Sequence, residues 1–417
     1  MIGATSPDAA GGRISARLGV GAGAVALALV AACCVLSWRP NSPLVPRSGG
    51  VASGATATGF LVLLALAFVA YVVGVVLIER LGGQFTAVAV IAAAIQLAPL
   101  FAPLLLSTDA WTYWAYGRVA AIHDANPYVT PPSAYPDDPA VQHMGVAWRS
   151  KTTVYGPAFT LASEPVAHAV GNSANAAAWT YKAFAAFAAL AATALAAGLT
   201  RRRTVAIAFV GWNPILAVHL AGGGHNDAWV GALVLAALAL AARGRLRGAG
   251  AFWVLATAVK WVPLVFVSLH TLAAAPRVRR SLAIGLLVAG AIAAVIASWR
   301  YGIHWTNALA PLAENARLET SYALPHRLQG IGLSRHVALG AALVALAAGL
   351  LWAVREALRG RARLALVACL LLATTPYLAV WYLGWAVPLA GVDEDDRVAR
   401  VVTLVLCAYL LPQTIPH

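Results

Sequence analysis

Apolar residues follow one another in long runs along this chain, near 18–38, 57–78, 85–106, 176–200, 204–221, 227–242, 281–298, 336–354, 364–390 and 398–412. A helix needs about 20 mostly apolar residues to cross a bilayer, so the runs predict an all-α polytopic membrane protein with about 10–12 transmembrane helices. Residues 249–272 break the pattern. They are apolar and long enough to span, yet arginines flank them on both sides, and Lys260 and Pro263 sit in their middle. Both facts fit a segment that enters the membrane, breaks near Lys260 to Pro263 and returns, because a broken helix is tolerated where it lines a protein cavity. A full crossing is the alternative.

Basic residues fall between the runs: Arg13 and Arg17, Arg80, Arg201 to Arg203, Arg243, Arg245 and Arg247, Arg277 to Arg280, and Arg355 to Arg363. Placing the N-terminus in the cytoplasm puts every cluster there, in line with the positive-inside bias. Two long segments, 107–175 and 299–335, then face outward, and function is expected on them. The first carries Asp109, Arg118, His123, Asp124, Asn126, Asp137, Asp138, Arg149, Lys151 and Glu164. Its tryptophans, tyrosines and prolines argue against disorder. The second carries Glu314, Glu319, His326 and Arg327 and matches no motif residue by residue. The expected organisation is a single membrane domain over 1–417, with no soluble carbohydrate-binding domain after the last run.

Composition narrows the class. Of 417 residues, 61% are apolar and only 11% charged, which excludes a water-soluble globule. Lys and Arg number 29 against 15 Asp and Glu, a net charge of +14, but the excess lies between apolar runs and gathers on no one face, so no nucleic-acid partner is expected. Cys33, Cys34, Cys369 and Cys407 all lie in apolar stretches without metal-site spacing and read as small hydrophobes. Val30-Ala31-Ala32-Cys33 resembles a lipoprotein cleavage box, but its apolar run continues to Trp38, too long for a cleaved signal.

Asp109 directly follows an apolar run, in Ser107-Thr108-Asp109, at the expected outer boundary of the membrane. One reading is a cap for the helix that Ala110 to Ile122 form. Another comes from the residues C-terminal to it: Tyr113-Trp114-Ala115-Tyr116-Gly117-Arg118, then Asn126-Pro127-Tyr128, then Tyr155-Gly156-Pro157. An acid opening the first large external loop, with Y-x-x-x-G and N-P-Y after it, resembles the GT-C glycosyltransferases. Further on, Trp212-Asn213-Pro214, Gly222-Gly223-Gly224-His225-Asn226-Asp227, Ala258-Val259-Lys260, Trp381-Tyr382 and Trp385 resemble the bacterial polyprenol-phosphate-mannose-dependent α-mannosyltransferases. The resemblance covers about 109–390.

The resemblance implies a GT-C fold, a polyprenyl-phosphate-mannose donor and inversion at C1. It also implies an α-(1→6) linkage and, as acceptor, a lipid-linked, lipomannan-like glycan of an actinobacterial envelope. Such chemistry passes through an oxocarbenium-like transition state and needs a carboxylate to take the acceptor's hydroxyl proton, the role assigned to Asp109. The phosphate leaving group needs cations or N–H donors, for which Arg149, Lys151, His225, Lys260 and Arg327 are candidates. Tyr113, Arg118, Asn126, Tyr128, Tyr155, Asn226, Asp227, Tyr382 and Trp385 complete the expected substrate site. The polyprenyl-phosphate sugar is a substrate, so no cofactor and no metal ligand are expected.

Each candidate has a plainer alternative. Arg149 and Lys151 read equally as solvated loop charges, Asp227 as a helix cap, and Lys260 as a side chain snorkelling to the interface. Asn126-Pro127-Tyr128 reads as a turn close to substrate, and Trp381, Tyr382 and Trp385 as an aromatic belt. Asp393-Glu394-Asp395-Asp396 contains D-x-D but reads as a solvated charge run. P-loop, zinc-hydrolase, serine-hydrolase and Rossmann patterns are absent, which argues against ATP-driven transport and against serine or zinc hydrolysis. The rivals are a GT-C transferase of arabinofuranose or glucose, a secondary transporter or lipid-carrier flippase, and a silent scaffold. A transporter should carry matching intramembrane charges in two halves, and Lys260 has no counterpart.

Overall fold

A computed structural model describes residues 7–46, 54–315, 317–394 and 396–414; the side chain of Arg13 and the whole of Asp395 lie outside the described residues. All regular structure among the described residues is helical. Among the described residues, five helices have the length and apolar content to cross a membrane: Arg17–Ser37, Ala55–Leu81, Ala174–Leu199, Pro276–Pro311 and Arg335–Leu358. The pair Arg203–Gly211 and Pro214–Ala221, bent by 45°, meets the same criteria when its two helices are taken together. The other expected runs form shorter apolar helices, Phe85–Phe101, Asp227–Ala242, Leu364–Thr374 and Val380–Val392, and Arg397–Leu410. The run 364–390 breaks at Thr375-Pro376, where proline removes an N–H and pushes the preceding residue to extended backbone.

The outer surface suits lipid. In Pro276–Pro311 and Arg335–Leu358 only 17% of the apolar window is buried, and Leu287, Val295, Leu343 and Val344 stand exposed.

Trp212-Asn213-Pro214 makes the bend in this pair of helices, Arg203–Gly211 and Pro214–Ala221. Asn213 Oδ1 accepts from the Ile215 and Leu216 amides, both at 3.1 Å, and Pro214 takes the first helical position, where its missing N–H costs nothing. The Trp212 ring fills space that Gly23 and Gly74 leave open, since a Cβ there would lie 2.6 and 2.9 Å from it. Beyond the bend, Ala217–Ala221 winds as a π-helix, a form frequent at functional sites, and runs into Gly222 to Asp227.

The segment 249–272 is interrupted as expected, between helices Leu246–Val259 and Pro263–Ala273, with Lys260 extended at φ −152° and ψ 144°. Its first helix begins beside Gly285, whose hydrogen faces the Arg247 backbone too closely for a Cβ. Its second helix ends at Ala273, where Arg279 donates to the carbonyls of Thr271, Leu272 and Ala274. The chain thus climbs from one arginine cluster to Lys260 and returns to the next.

The segment 107–175 is ordered around helices Asp109–Ala121, Pro139–His143 and Pro157–Val170. It is tied to 299–335: Asn126 Nδ2 donates to the Tyr301 carbonyl at 2.6 Å, the Tyr301 hydroxyl donates to Glu164 at 2.6 Å, and Arg300 pairs with Glu164 at 3.1 Å. The acidic run at 393–396 departs from the expected solvated turn. Asp396 is buried, accepts from the Ala399 amide at 2.9 Å and pairs with Arg363 at 3.0 Å, while Glu394 accepts from the Arg201 and Arg202 amides. The run closes helix ends and neutralises arginines. All four cysteines are buried and unbridged.

Candidate active site

Two acids open helices at the same end of the bundle. Asp109 begins Asp109–Ala121 and Asp227 begins Asp227–Ala242, and neither occupies the N-cap position, which falls to Thr108 and Asn226. The cap readings are therefore corrected, because both carboxylates turn to partners from elsewhere in the chain. Leu106 at φ +64° and Gly224 at φ +71° shape the two approaches. The two approaches are joined where the Leu105 amide donates to the Gly222 carbonyl at 3.0 Å.

Asp109 Oδ2 lies 3.2 Å from His225 Nδ1, within ion-pair reach but off the line of a straight hydrogen bond. The Tyr113 hydroxyl donates to the same oxygen at 3.4 Å. The Asp109 side chain remains 17% exposed, whereas His225 is fully enclosed. The imidazole stacks on Trp381 with ring centres 3.9 Å apart and planes 13° from parallel. Burial pushes the Asp109 carboxyl up, but the contact with His225, its charge and the charge of Lys260 outweigh it. The carboxyl is held below the usual carboxylate range, so it is ionised at neutral pH.

Asp227 is completely buried and fully engaged. Lys260 Nζ donates to Oδ1 at 2.7 Å and Oδ2 at 2.9 Å, and Trp385 Nε1 donates to Oδ1 at 2.6 Å. The ammonium lies 4.8 Å from the Tyr382 ring centre and 5.4 Å from that of Trp385, two rings that stack 4.3 Å apart. Lys260 is held by an acid and two aromatic faces, so the snorkelling reading is corrected. Its side chain keeps 18% exposure.

Asp109 and Lys260 line one cavity of about 250 Å³, together with Trp148, Val154, Tyr155, Trp261, Tyr377, Trp381, Tyr382 and Trp385. The C-terminal aromatics are thus cavity walls. Trp261 also lines an apolar groove of about 210 Å³ with Trp253, Leu286, Gly290, Ala294 and Trp305. Tyr155-Gly156-Pro157 joins this wall to the broken helix. The Gly156 amide donates to the Val259 carbonyl at 3.1 Å, Trp261 Nε1 donates to the Val154 carbonyl at 3.1 Å, and Gly156 lies too near the Ala258 backbone to carry a Cβ.

Several expected site residues are engaged away from the cavity. Arg118 is buried on Asp138, with Nε 2.8 Å from Oδ2, and also donates to the Gly171 carbonyl at 2.7 Å. Asn126 caps its own turn by accepting from the Tyr128 amide at 3.0 Å, while the Tyr128 hydroxyl meets Thr160 at 3.0 Å and the Tyr155 carbonyl at 3.1 Å. These three brace the wall. Arg149 donates to the Gln142 carbonyl at 3.2 Å, and Lys151 lies over Trp148, 5.2 Å from its ring centre. Arg327 stands exposed over Tyr322 in the second loop. Asn226 is buried, and its side-chain amide meets no hydrogen-bond partner among the described residues. Trp148, Trp261 and Tyr377 were not expected. An adjoining charge or proline, at Arg149, Lys260 and Pro376, was the available signal.

No group of three or more His, Cys, Asp or Glu side chains gathers as metal ligands among the described residues. The chain is similar to Alpha-(1->6)-mannopyranosyltransferase A of Mycobacterium tuberculosis, 31% identical over 154 residues, which cover 34% of this chain and 29% of the relative. It is also similar to the protein of that name from Corynebacterium glutamicum, 22% identical over 252 residues, covering 54% and 51%. The matched regions thus span about half the length, or less, of these curated relatives. No solved structure matches the chain. The family described as "Alpha-(1->6)-mannopyranosyltransferase, N-terminal domain" matches residues 15–276, a stretch that holds Asp109, His225, Asp227 and Lys260, and the chain belongs to that family.

Proposed function

We propose that this chain is a multi-pass glycosyltransferase of GT-C type in the plasma membrane, with its N-terminus in the cytoplasm and its active site on the external face. It moves mannose from polyprenyl-phosphate-mannose to a lipid-linked, lipomannan-like glycan, forming an α-(1→6) bond with inversion at C1. The family and the printed names of the relatives support the sugar and the linkage. The observation that carries the mechanism is the single cavity into which Asp109 and Lys260 both open, joined at Trp261 to an apolar groove. A charged headgroup and an isoprenoid tail need that pairing of surfaces.

The acceptor oxygen attacks C1 while the bond from C1 to the phosphate oxygen breaks and its electron pair leaves on the phosphate. The hydroxyl proton passes to Asp109, which is ionised and partly exposed. Lys260, fixed by Asp227, offsets the charge that grows on the leaving phosphate. His225 and Tyr113 hold the Asp109 carboxylate in place.

The test is transfer of labelled mannose from polyprenyl-phosphate-mannose to α-mannoside acceptors, in membranes carrying equal amounts of wild type or Asp109→Asn. Wild-type transfer that falls by about 10²-fold or more in the variant is expected. Transfer that survives the substitution removes Asp109 as the base. Transfer from an arabinofuranose or glucose donor, with mannose refused, keeps the site and overturns the sugar.

A further inference from the structure

Lys182 lies in the helix Ala174–Leu199 and is only 1% exposed. Its ammonium donates to the carbonyls of Ala102 and Pro103, the second at 3.1 Å, and no carboxylate pairs with it among the described residues. An ammonium buried in a membrane helix is costly without a counter-charge. Its two carbonyls begin the strap of chain, 102–108, that delivers Asp109.

That strap is held at several points. The Leu105 amide donates to the Gly222 carbonyl at 3.0 Å and the Leu106 amide to the Leu44 carbonyl at 2.8 Å. Leu106 adopts φ +64°, a left-handed conformation that a leucine keeps only where its surroundings impose it. The turn carrying His225 rests on the same part of the Lys182 helix. A Cβ on Gly224 would meet Tyr181 Cβ at 3.3 Å and the Lys182 amide nitrogen at 3.4 Å. One helical turn therefore holds both the strap that ends at Asp109 and the turn that presents His225.

We propose that Lys182 is a positioning residue for the transfer reaction: its ammonium fixes the 102–108 strap so that Asp109 meets His225 and faces the cavity. The inference rests on the reading of Asp109 as the base. A misplacement of about 1 Å costs about 10²-fold in rate, so the strap's register bears on turnover more than on binding.

The experiment compares wild type, Lys182→Met and Lys182→Gln in membranes, with kcat, both KM values and the pH profile measured per unit of inserted protein. Lys182→Met is expected to lower kcat by about 10- to 100-fold, with both KM values within about two-fold. Loss of the His225 contact also moves the acid limb of the profile to higher pH. Lys182→Gln keeps an N–H donor without the charge and is expected to recover part of kcat. On the Asp109→Asn background, Lys182→Met is expected to lower the residual rate by less than about two-fold, because both changes act through one group.

Unchanged kcat and acid limb in Lys182→Met overturn the proposal, as does an undiminished further loss on the Asp109→Asn background. If Lys182→Met fails to insert, the same readouts in Lys182→Gln decide. Absence of transfer by wild type from mannose, arabinofuranose and glucose donors alike, seen before any variant is compared, overturns the reading of Asp109 and this inference with it.

Discussion

Asp109 and Asp227 each begin a helix, and His225 ties the first to the turn that holds the second, yet their surroundings differ in kind. Asp227 is entirely buried and takes three hydrogen bonds, two from Lys260 and one from Trp385. Asp109 keeps 17% exposure, with an oblique contact to His225 and a long hydrogen bond from Tyr113. An acid already saturated by an ammonium and an indole cannot take a proton without breaking its pair. An acid ionised beside a cavity and loosely bonded can. The contrast separates a carboxylate that holds a cation from one that receives a proton, although both stand in the same sequence context of a polar turn leading into a helix.

Asp109→Asn sharpens that contrast most. It is expected to lower transfer by about 10²-fold or more while thermal unfolding in detergent moves little, since the loss is one of proton acceptance. Asp227→Asn should act first on stability, and on transfer only through the loosened Lys260. It leaves Lys260 largely buried without a counter-charge, a change worth about 3 kcal/mol of stability even at the low end for broken buried pairs. Thermal unfolding and yield of inserted protein measure this. If Asp227→Asn inserts normally and only turnover falls, while Asp109→Asn unfolds, the two roles must be exchanged.

Trp385→Phe tests the saturated side more gently. It removes one donor from Asp227 Oδ1 while Lys260 remains, for an expected loss of about 1–2 kcal/mol in stability and less than about ten-fold in transfer. A loss of transfer as large as that of Asp109→Asn, with stability intact, would move the proton chemistry toward Asp227.

The helical class was legible because lipid demands apolar surface, and each run of the sequence carries helix. The bends within the runs were not, because length alone cannot place breaks such as those at Thr375-Pro376 and Asn213-Pro214. Within the site, Lys260 stood out because an ionisable group inside an apolar run needs a partner, and Asp109, His225 and Asp227 because the motifs around them resemble those of a known family. Which partner each takes was hidden. Lys260 finds Asp227 33 residues away, Arg118 is drawn to Asp138 and off the cavity, and Asn126 reaches the Tyr301 carbonyl across 175 residues. Lys182 escaped notice because its partners are carbonyls, which every residue carries. Trp148 and Trp261 escaped for a related reason, since a membrane protein places tryptophans at interfaces as readily as in cavities.

The gentlest test sets the pH profile of the loosely held acid against its surroundings. Burial is the largest influence on Asp109 and raises its carboxyl, while His225, Lys260 and Ser107 together bring it below the usual carboxylate range. A carboxyl lowered in this way is ionised throughout the neutral range and loses its charge only as the pH falls through its depressed value. Wild-type transfer should therefore hold level as the medium is acidified and fail only below the ordinary carboxylate range. His225→Gln removes both the contact and its charge, so burial meets less opposition and the acid limb should move to higher pH. At neutral pH the same variant should lose less than about ten-fold, because the carboxylate is still mostly ionised there. Initial rates across the acid range decide between the alternatives. A limb that stays in place in His225→Gln would mean that Lys260 is the only charge that governs the ionisation of Asp109, with Ser107 beside it, and the division between the two acids would then run through a single shared cation.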